Sequence, residues 1–587
     1  MSFLKQVLAT ITGVLITGVI LFFAFIFIVA VLVSSSSKES NMPAPANSVL
    51  YLSFDYKITE KSEANPFSDL NIPLGIANSE IGLNDILARI EAAKTDDNIK
   101  GIFINPTTVG SGFATLKAIR DALEDFKTSK KFIVAYSDGY SQKAYYLSSV
   151  ADKVYLNPQG SLDFRGLSSS TMFMKDAFDK LGVEMQVVKV GTFKSAVEPL
   201  MLNSMSEANK LQVTSYLNSI YDAFLDDLSA GRKISKESLR QYADTYAVRN
   251  ADDALKYKFI DGKLYKDELI SEIKKRLSIE EKDDISIVSI TKYAGKNAEK
   301  KTGDEIAVLY AYGDIVDGEG EVGQIGGDNI SRELRKLRKD DDVKAVVLRV
   351  NSGGGSALAS DIIWREVELT KKVKPVIVSM GDYAASGGYY IAAAADSIFA
   401  EKTTLTGSIG VFGVIPNFKG LLNNKLGVKF EDVKTGKFAS LMSSPDKPLT
   451  EEEKAIIQGE VNITYQTFMD RVAKGRKMTI AQIDSIGQGR VWTGDQALKI
   501  GLVDKIGDLN TAVQAAAYKG KLTSYYTKEY PVKQEAFASI FSTSKDKIKM
   551  WMFAEELGDY QKYLIELQKV MKTSGIQARI PYAVEIY

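Results

Sequence analysis

The first hydrophobic segment of the chain is long and uninterrupted. Residues 7–33 carry no charge and are rich in Ile, Val, Leu and Phe. As an α-helix rising about 1.5 Å per residue, they would extend roughly 40 Å, enough to cross a bilayer core with some tilt. The apolar region of a cleaved signal peptide is shorter, about 7–15 residues. The pattern therefore predicts an uncleaved transmembrane helix, followed by a flexible tether.

Beyond the anchor, short apolar runs alternate with amphipathic segments. Residues 345–350 and 376–380 are apolar runs typical of buried strands. Residues 357–371 have helical spacing, and 386–395 form a segment of small residues and Tyr that also favours a helix. Strands that alternate with helices predict an α/β fold with parallel strand pairing.

The chain contains an internal repeat of about 244 residues. The segment Lys94-Thr-Asp-Asp-Asn-Ile-Lys-Gly-Ile-Phe-Ile104 matches Arg338-Lys-Asp-Asp-Asp-Val-Lys-Ala-Val-Val-Leu348. Further matches keep the same order: Asp138 with Asp382, Tyr145-Tyr146 with Tyr389-Tyr390, Asp152 with Asp396, Lys180-Leu-Gly-Val183 with Lys425-Leu-Gly-Val428, and Gly231-Arg-Lys233 with Gly475-Arg-Lys477. So many ordered matches indicate a duplication.

The repeat and the anchor suggest four units. We expect an anchor and tether over 1–40, a first half over 41–300, a second half over 301–525 and a tail over 526–587. The tail matches nothing in the first copy. Residues 551–571 have helical spacing, so the tail is predicted to be helical.

Composition excludes several kinds of chemistry. Lys plus Arg and Asp plus Glu each total 74, so no basic surplus points to nucleic acid. The chain has no His and no Cys, which excludes Ser-His-Asp and Cys-His machinery and the usual zinc sites. A carboxylate site for a hard metal remains allowed, but we expect neither metal nor cofactor. A nucleophile would have to be Ser, Thr, Lys, Asp or Glu.

Ser386 lies between a predicted strand and a helix, in Asp382-Tyr-Ala-Ala-Ser-Gly-Gly-Tyr-Tyr390. The glycines at 387 and 388 leave the hydroxyl uncrowded, and the helix N-terminus places N–H groups where an oxyanion would form. A second glycine turn, Asn351-Ser-Gly-Gly-Gly355, could supply another oxyanion donor. Taken alone, Ser-Gly-Gly is more often a simple turn or helix cap.

The repeat makes the candidate site more specific. Alignment of the two copies sets Gln142 opposite Ser386, and Lys194 opposite Ala439. One half has the serine without the lysine, and the other has the lysine without the serine. This pattern predicts one active site shared between the halves, although most lysines are simply solvated at the surface. Burial lowers a lysine pKa by up to about 3–5 units, which would allow Lys194 to act as a base.

Four ordered motifs closely resemble the long, duplicated form of the signal peptide peptidase A family. They are Gly191-Thr-Phe-Lys-Ser-Ala-Val-Glu-Pro199, Val350-Asn-Ser-Gly-Gly-Gly-Ser356, Gly381-Asp-Tyr-Ala-Ala-Ser-Gly-Gly-Tyr389 and Leu405-Thr-Gly-Ser-Ile-Gly-Val-Phe-Gly413. The resemblance covers the anchor, both halves and the tail. It implies tandem domains related to the Clp protease and crotonase folds, assembled as a tetrameric bowl.

The same resemblance implies roles for individual residues. Ser386 would be the nucleophile, Lys194 the general base, and Ser408 the group that holds the lysine. Gly387 and Gly354 would supply oxyanion donors from their backbone N–H groups. The family turn usually reads Ser-Pro-Gly-Gly, whereas Gly353 replaces the proline here, so this turn should be looser.

The expected function is hydrolysis of peptides near a membrane. A Ser/Lys peptidase of this kind would degrade cleaved signal peptides and other short or unfolded chains. We expect a homotetramer anchored through residues 7–33 in the inner membrane, with the catalytic body on the outer, periplasmic face; the flanking Lys5 and Lys38 support this orientation only slightly. Two alternatives remain: a crotonase-like enzyme acting on acyl-CoA thioesters, and an inactive membrane scaffold.

Overall fold

The computed structural model describes residues 43–62, 80–295, 302–443, 445–532, 576–580 and 585–586, with isolated helical positions between 10 and 21. Most of the predicted membrane anchor (residues 7–33) lies outside the part of the chain that the structure describes. Within the described part of the chain, no helix is both long and apolar enough to span a membrane.

The first half is built from ten strands and nine α-helices among the described residues. The strands are β1 (Ser48–Leu52), β2 (Lys57–Thr59), β3 (Glu80–Gly82), β4 (Ile99–Ile104), β5 (Phe132–Tyr140), β6 (Lys153–Leu162), β7 (Ser169–Ser170), β8 (Glu184–Val190), β9 (Gly262–Lys263) and β10 (Ile287–Ser289). The helices are Leu83–Thr95, Phe113–Phe126, Gln142–Ser148, Lys175–Leu181, Glu198–Met201, Glu207–Arg232, Lys236–Asp244, Ala251–Lys256 and Lys266–Leu277.

The second half and the tail add fourteen described strands and seven described α-helices. The strands are β11 (Asp304–Tyr312), β12 (Asp314–Val316), β13 (Gln324–Gly326), β14 (Val343–Ser352), β15 (Gly354–Ser356), β16 (Val376–Ala385), β17 (Ser397–Ala400), β18 (Leu405–Gly407), β19 (Val411–Asn417), β20 (Val491–Thr493), β21 (Lys505–Ile506), β22 (Tyr525–Tyr530), β23 (Ile576–Arg579) and β24 (Glu585–Ile586). The α-helices are Gly327–Lys339, Ala357–Lys371, Gly387–Ala392, Glu451–Arg476, Ile480–Ile486, Gly494–Lys499 and Leu509–Gly520.

The two halves repeat one sheet topology. In the first half the strands run β10-β1-β4-β5-β6-β9, all parallel. In the second half the parallel path runs β22-β11-β14-β16-β17-β21. Each sheet packs its helices over a large apolar cluster of buried side chains. The predicted α/β fold and its duplication are both confirmed.

Matched residues of the repeat make matched contacts. Arg232 ends a 26-residue helix and donates to Asp261 at 2.9 Å, and Arg476 ends a 26-residue helix and donates to Asp504 at the same distance. The hydroxyls of Tyr145 and Tyr389 donate to main-chain carbonyls at 2.7 and 2.8 Å. These two sets of repeated residues therefore make the same contacts within each half.

The described part of the tail is β-structure, which corrects the prediction of a helical tail there. The strand β22 crosses the predicted boundary at 525 and pairs with β11, the edge position that β10 holds in the first half. An edge strand pairs through main-chain hydrogen bonds, which place little demand on side-chain identity. The sequences of β10 and β22 therefore show no similarity, although the two strands hold equivalent positions. The predicted helix over 551–571 lies outside the described residues.

A third sheet joins both halves and the tail. Its strands run β13-β12-β15-β23-β19-β8, so β8 of the first half and β23 of the tail lie in a sheet of the second half. The antiparallel pairing of β8 with β19 extends from Val411 opposite Val190 to Asn417 opposite Glu184. This pairing carries the segment that follows β8, including Lys194, into the second half.

Candidate active site

Ser386 occupies a sharp turn between β16 and the helix Gly387–Ala392. Its φ and ψ are 56° and −115°, a conformation that a residue with a Cβ atom rarely adopts. Its N–H donates to the Gly407 carbonyl at 2.8 Å, which fixes the turn against β18. A Cβ atom at Gly388 would approach the Ser352 carbonyl oxygen to 2.6 Å, so that position requires glycine. Strained serines at strand-to-helix turns are typical of nucleophiles.

Lys194 reaches Ser386 from the first half of the chain. Its Nζ atom lies 2.8 Å from Ser386 Oγ, although 192 positions separate the two residues in sequence. The turn before Lys194 is fixed by the Phe193 N–H, which donates to the Gln488 carbonyl at 2.8 Å. The Gln212 amide donates to the Phe193 carbonyl at 3.0 Å and to Ser195 Oγ at 2.6 Å. The structure thus brings together the two residues that the repeat singled out.

The lysine is enclosed along its whole length. Only 1% of Lys194 is exposed. A Cβ atom at Gly489 would lie 2.6 Å from the lysine Cβ, and one at Gly410 would lie 3.2 Å from its Cδ. Burial lowers the lysine pKa well below its usual range, and the charge of Arg579 lowers it further. A lowered pKa favours the neutral amine, which is the form that can accept a proton.

Ser408 contacts the lysine with two oxygen atoms. Its Oγ and its main-chain carbonyl oxygen each lie 3.2 Å from Lys194 Nζ. Its φ is 50°, and its N–H donates to the Arg490 carbonyl at 2.7 Å. These contacts fix the direction of the amine without adding a charge next to it. The structure therefore brings Ser408 to the place that its predicted role requires.

The glycine turn lies beside Ser386. Gly354 has a φ of 103°, and its N–H donates to Ser352 Oγ at 3.1 Å, so this amide is used within the turn. A Cβ atom on Gly354 would come within 2.8 Å of the Gly387 nitrogen, which places the two predicted oxyanion residues side by side. Gly353, which replaces the usual proline, accepts a hydrogen bond from Ile580 N–H at 2.9 Å. The donor roles of Gly354 and Gly387 stay predictions.

The positions that correspond to Ser386 and Lys194 in the other copy of the repeat make different contacts. The Gln142 side chain donates to the Gly166 carbonyl and accepts from the N–H groups of Arg165 and Gly166, so it stabilises a loop. Ala439 lies in an exposed segment. Within the described residues, no group of three or more acidic side chains is arranged to hold a metal ion.

Sequence reasoning missed the residues that enclose the lysine. Gln212 and Gly489 belong to none of the four motifs, and Gly489 follows Lys194 by almost 300 positions. Gly489 comes close to Lys194 because β8 pairs with β19. The apolar pattern of neither strand predicts that pairing. The one available signal was the glycine at 410, within the motif that also contains Ser408.

The three sheets describe a duplicated α/β protein in which, among the described residues, Ser386 and Lys194 are brought into contact. The family model "Peptidase family S49" matches residues 125–280 and again 368–523, more than half of the chain. The chain therefore belongs to peptidase family S49.

Three relatives are similar over most of their length. "Protease 4" of Haemophilus influenzae is 35% identical over 88% of this chain and 86% of its own. "Protease 4" of Salmonella typhi is 36% identical over 87% and 84%. "Serine protease SPPA, chloroplastic" of Arabidopsis thaliana is 35% identical over 76% and 67%. Among solved structures, ClpP1 from Listeria monocytogenes aligns with 34% of this chain and 91% of its own at 16% identity, with a TM-score of 0.22.

Proposed function

We propose that this protein is a serine peptidase in which Ser386 is the nucleophile and Lys194 the general base. The observation that carries the proposal is the distance of 2.8 Å between Lys194 Nζ and Ser386 Oγ at a buried site. Membership of a peptidase family and the absence of His from the whole chain support the same assignment. With no His, a buried lysine is the base best suited to neutral pH.

The chemistry follows from the lowered pKa of Lys194. Its neutral amine takes the Ser386 proton as Oγ attacks the peptide carbonyl carbon. The amine then returns that proton to the leaving nitrogen, and water hydrolyses the remaining ester. The Gly387 N–H, at the start of a helix, is suited to stabilise the oxyanion, and the glycine turn beside it is the predicted source of a second donor. Ser408 orients the amine throughout.

The substrates are short or unfolded chains, including cleaved signal peptides. The full burial of Ser386 favours a substrate that enters as an extended strand over one that is part of a folded domain. The apolar segment at 7–33 would anchor the protein in the inner membrane, with its body on the outer face, where signal peptide remnants are released. The names of the two bacterial relatives and of the chloroplast relative support a protease.

A serine-directed fluorophosphonate tests the nucleophile. We expect one modified residue, Ser386, identified by peptide mass spectrometry, and no labelling of Ser386→Ala. Lys194→Ala should lose labelling and turnover of an unfolded peptide substrate, whereas Lys189→Ala, on the same segment, should keep both. Labelling at another serine, or full turnover by Lys194→Ala, would contradict the assignment.

The location is tested by removing the apolar segment. A chain that begins at residue 42 should be folded, active and recovered in the soluble fraction, whereas the full chain should need detergent. If the shortened chain still pellets with membranes, a second membrane-binding surface exists. Protease protection of the full chain in intact cells and in spheroplasts would test the orientation.

We also propose that copies of the chain assemble into a closed ring, with four copies implied by the family resemblance. In the first half, the segment before Lys194 is the strand β8, which docks on the second half. Its counterpart in the second half, residues 426–442, leaves large apolar side chains exposed: Leu426, Val428, Phe430, Val433, Phe438 and Met442. An exposed apolar set of this size indicates a protein partner. A neighbouring first half is the equivalent acceptor, and repeated head-to-tail contacts of this kind form a ring when their rotation closes.

A further inference from the structure

One buried glutamine contacts the residues on both sides of Lys194, within the lysine loop (residues 191–195). Gln212 is only 2% exposed. Its amide nitrogen donates to the Phe193 carbonyl at 3.0 Å and to Ser195 Oγ at 2.6 Å. A single side chain therefore fixes the residue before the lysine and the residue after it.

The oxygen atom of the same amide binds the second half of the chain. The Val491 N–H, on β20, donates to Gln212 Oε1 at 3.2 Å. The strand β20 pairs antiparallel with β18, and Val491 lies opposite Gly407 in this pairing. The Gly407 carbonyl in turn accepts the Ser386 N–H at 2.8 Å. Gln212 thus connects the lysine loop to the pair of strands that fixes the turn of Ser386.

The amide is itself held by a buried polar chain. Its nitrogen lies 3.1 Å from Asn209 Oδ1, and the Asn209 amide donates to Glu198 Oε2 at 3.0 Å. The Glu198 carboxylate also accepts from the Ser206 N–H at 3.1 Å and from the Ser206 hydroxyl at 2.6 Å. A buried polar network whose members are all hydrogen-bonded is rigid. Gln212 therefore has little freedom to turn away from the lysine loop.

The repeat separates this glutamine from the residues that both copies share. The sixth residue of the 26-residue helix is Gln212 in the first half and Ile456 in the second. An isoleucine side chain can make none of the hydrogen bonds described above. The second copy also has Ala439 where the first has Lys194. The glutamine therefore accompanies the lysine, and the shared fold does not require it.

We propose that Gln212 is a positioning residue, which fixes the lysine loop against β18 and β20 and so sets the distance between Lys194 Nζ and Ser386 Oγ. The proposal rests on the proposed Ser/Lys mechanism and adds a residue that acts through Lys194. Without the amide, the loop can shift, and a misplacement of about 1 Å can cost on the order of 100-fold in rate. A looser loop also admits water to the amine, which returns the pKa of Lys194 toward its usual value, since burial is what lowers it.

The kinetics of Gln212→Met test the proposal, because methionine keeps the length of the side chain and cannot donate to the loop. Titration of the full chain with a serine-directed fluorophosphonate, taken to completion, counts the functional sites. We expect kcat per site at pH 7 to fall about ten- to hundredfold, with KM unchanged to within about twofold. The midpoint of the kcat/KM profile should move to higher pH by about half a unit or more. If only the number of labelled sites falls, and kcat per site and the midpoint stay as in the wild type, the proposal is overturned.

Ser195→Ala is a milder variant with less risk of misfolding. It removes one of the two contacts between Gln212 and the lysine loop, so kcat per site should fall about two- to tenfold. Added to Gln212→Met, it should cause no further loss, because Ser195 then has no amide to accept from. Losses that multiply in the double variant would overturn the proposed action through Gln212.

Gln458→Met is the matched control. This glutamine lies on the corresponding helix of the second half and donates to the Lys189 carbonyl at 3.4 Å, ahead of the lysine loop. Its replacement should leave kcat per site and the pH midpoint unchanged. If Gln212→Met also matches the wild type while Lys194→Ala is inactive, the positioning role is wrong and the mechanism stands. An active Lys194→Ala variant would instead overturn the mechanism, and the positioning role with it.

Discussion

Two residues of the candidate site are held in states that are unfavourable on their own. Ser386 has a positive φ with a negative ψ, and strain of this kind costs about 1–3 kcal/mol. Lys194 is buried, which opposes its charged form. Both states persist because the surrounding backbone fixes them, through Gly407 on one side and Gln488 on the other. Together they place a hydroxyl opposite an amine whose charged form is disfavoured.

The lowered pKa of Lys194 predicts the direction of the pH dependence. Below that pKa the ammonium cannot accept the Ser386 proton, so kcat/KM should rise as pH increases through the pKa of Lys194 in the free enzyme. Arginine stays protonated at any usable pH, so Lys194→Arg should lower kcat/KM at least 10³-fold, as Lys194→Ala should. Lys189→Arg is the matched control and should keep the wild-type profile. A profile that falls between pH 6 and 9 in stable enzyme, or an active Lys194→Arg variant, would exclude lysine as the base.

Ser408→Ala should weaken activity far less than the loss of Lys194. The substitution removes one of two oxygen contacts to Nζ and leaves the main-chain carbonyl at 3.2 Å. One hydrogen bond is worth about 0.5–1.5 kcal/mol, so kcat should fall by about two- to tenfold. The measurement is steady-state turnover of Ser408→Ala and Lys194→Ala at one pH. A loss in Ser408→Ala as large as that in Lys194→Ala would mean that Ser408 does more than orient the amine.

At the scale of single residues, the sequence predicts which side chains form the candidate site better than it predicts what surrounds them. Ser386 and Lys194 follow from the complementary losses between the copies, and Ser408 from the family motif. The positive φ of Ser386 and the enclosure by Gly410 and Gly489 do not follow, because they depend on contacts between distant segments. Spacing along a chain carries no information about which distant turn closes over a side chain.

Among the elements, local pattern specifies helices and central strands well. The helix predicted over 357–371 is observed as Ala357–Lys371, and the strand predicted over 376–380 is observed as Val376–Ala385. The short strands of the third sheet were not predicted. Strands such as β15 and β23 have three and four residues, too few to show an alternation of apolar and polar side chains. Main-chain pairing with strands distant in sequence stabilises them.

A buried polar network ties the first half to the strand that carries the glycine turn. The Glu60 carboxylate accepts hydrogen bonds from Arg349 at 2.8 Å and from Asn351 at 2.6 Å. Both partners lie at the end of β14, directly before the turn at 352–355. Arg349 also donates to Ser379 Oγ and to the Met380 carbonyl on β16, each at 2.9 Å. One carboxylate of the first half thus binds the end of β14 and, through Arg349, is linked to the middle of β16.

Removing that carboxylate should destabilise the protein strongly. Glu60→Ala leaves the buried Arg349 guanidinium without its counter-charge, which typically costs about 3–5 kcal/mol. The matched control is Glu80→Ala, which breaks an exposed ion pair with Lys57 and should cost under about 1 kcal/mol. Urea unfolding of chains that begin at residue 42, followed by tryptophan fluorescence, measures both. Equal midpoints for the two variants would show that the buried pair does not join the halves.

Duplication gives the whole molecule two similar sheets that have diverged in chemistry. The structural contacts persist in both copies, as the Arg232–Asp261 and Arg476–Asp504 pairs illustrate. The proposed nucleophile and base occur in one copy each, and β8 leads the lysine segment to the serine. A site of this kind needs both halves in place, so its activity reports the integrity of the whole chain. The sequence predicts that the halves share one site, because one copy lacks the serine and the other lacks the lysine. It does not predict that β8 pairs with a strand of the second half.

Residues 426–442, the second-half counterpart of the segment before Lys194, provide the last prediction. Phe430 is 45% exposed and Val433 is fully exposed, whereas the corresponding segment of the first half is a paired strand. If a neighbouring copy covers this surface, two charges there should break the contact, because burying an unpaired carboxylate is strongly unfavourable. Phe430→Glu with Val433→Glu, in a chain that begins at residue 42, should elute as a monomer. Val322→Glu, at another exposed apolar residue, should keep the parent mass. Light scattering coupled to size exclusion measures both masses; an oligomer of unchanged mass in the double variant would place the interface elsewhere.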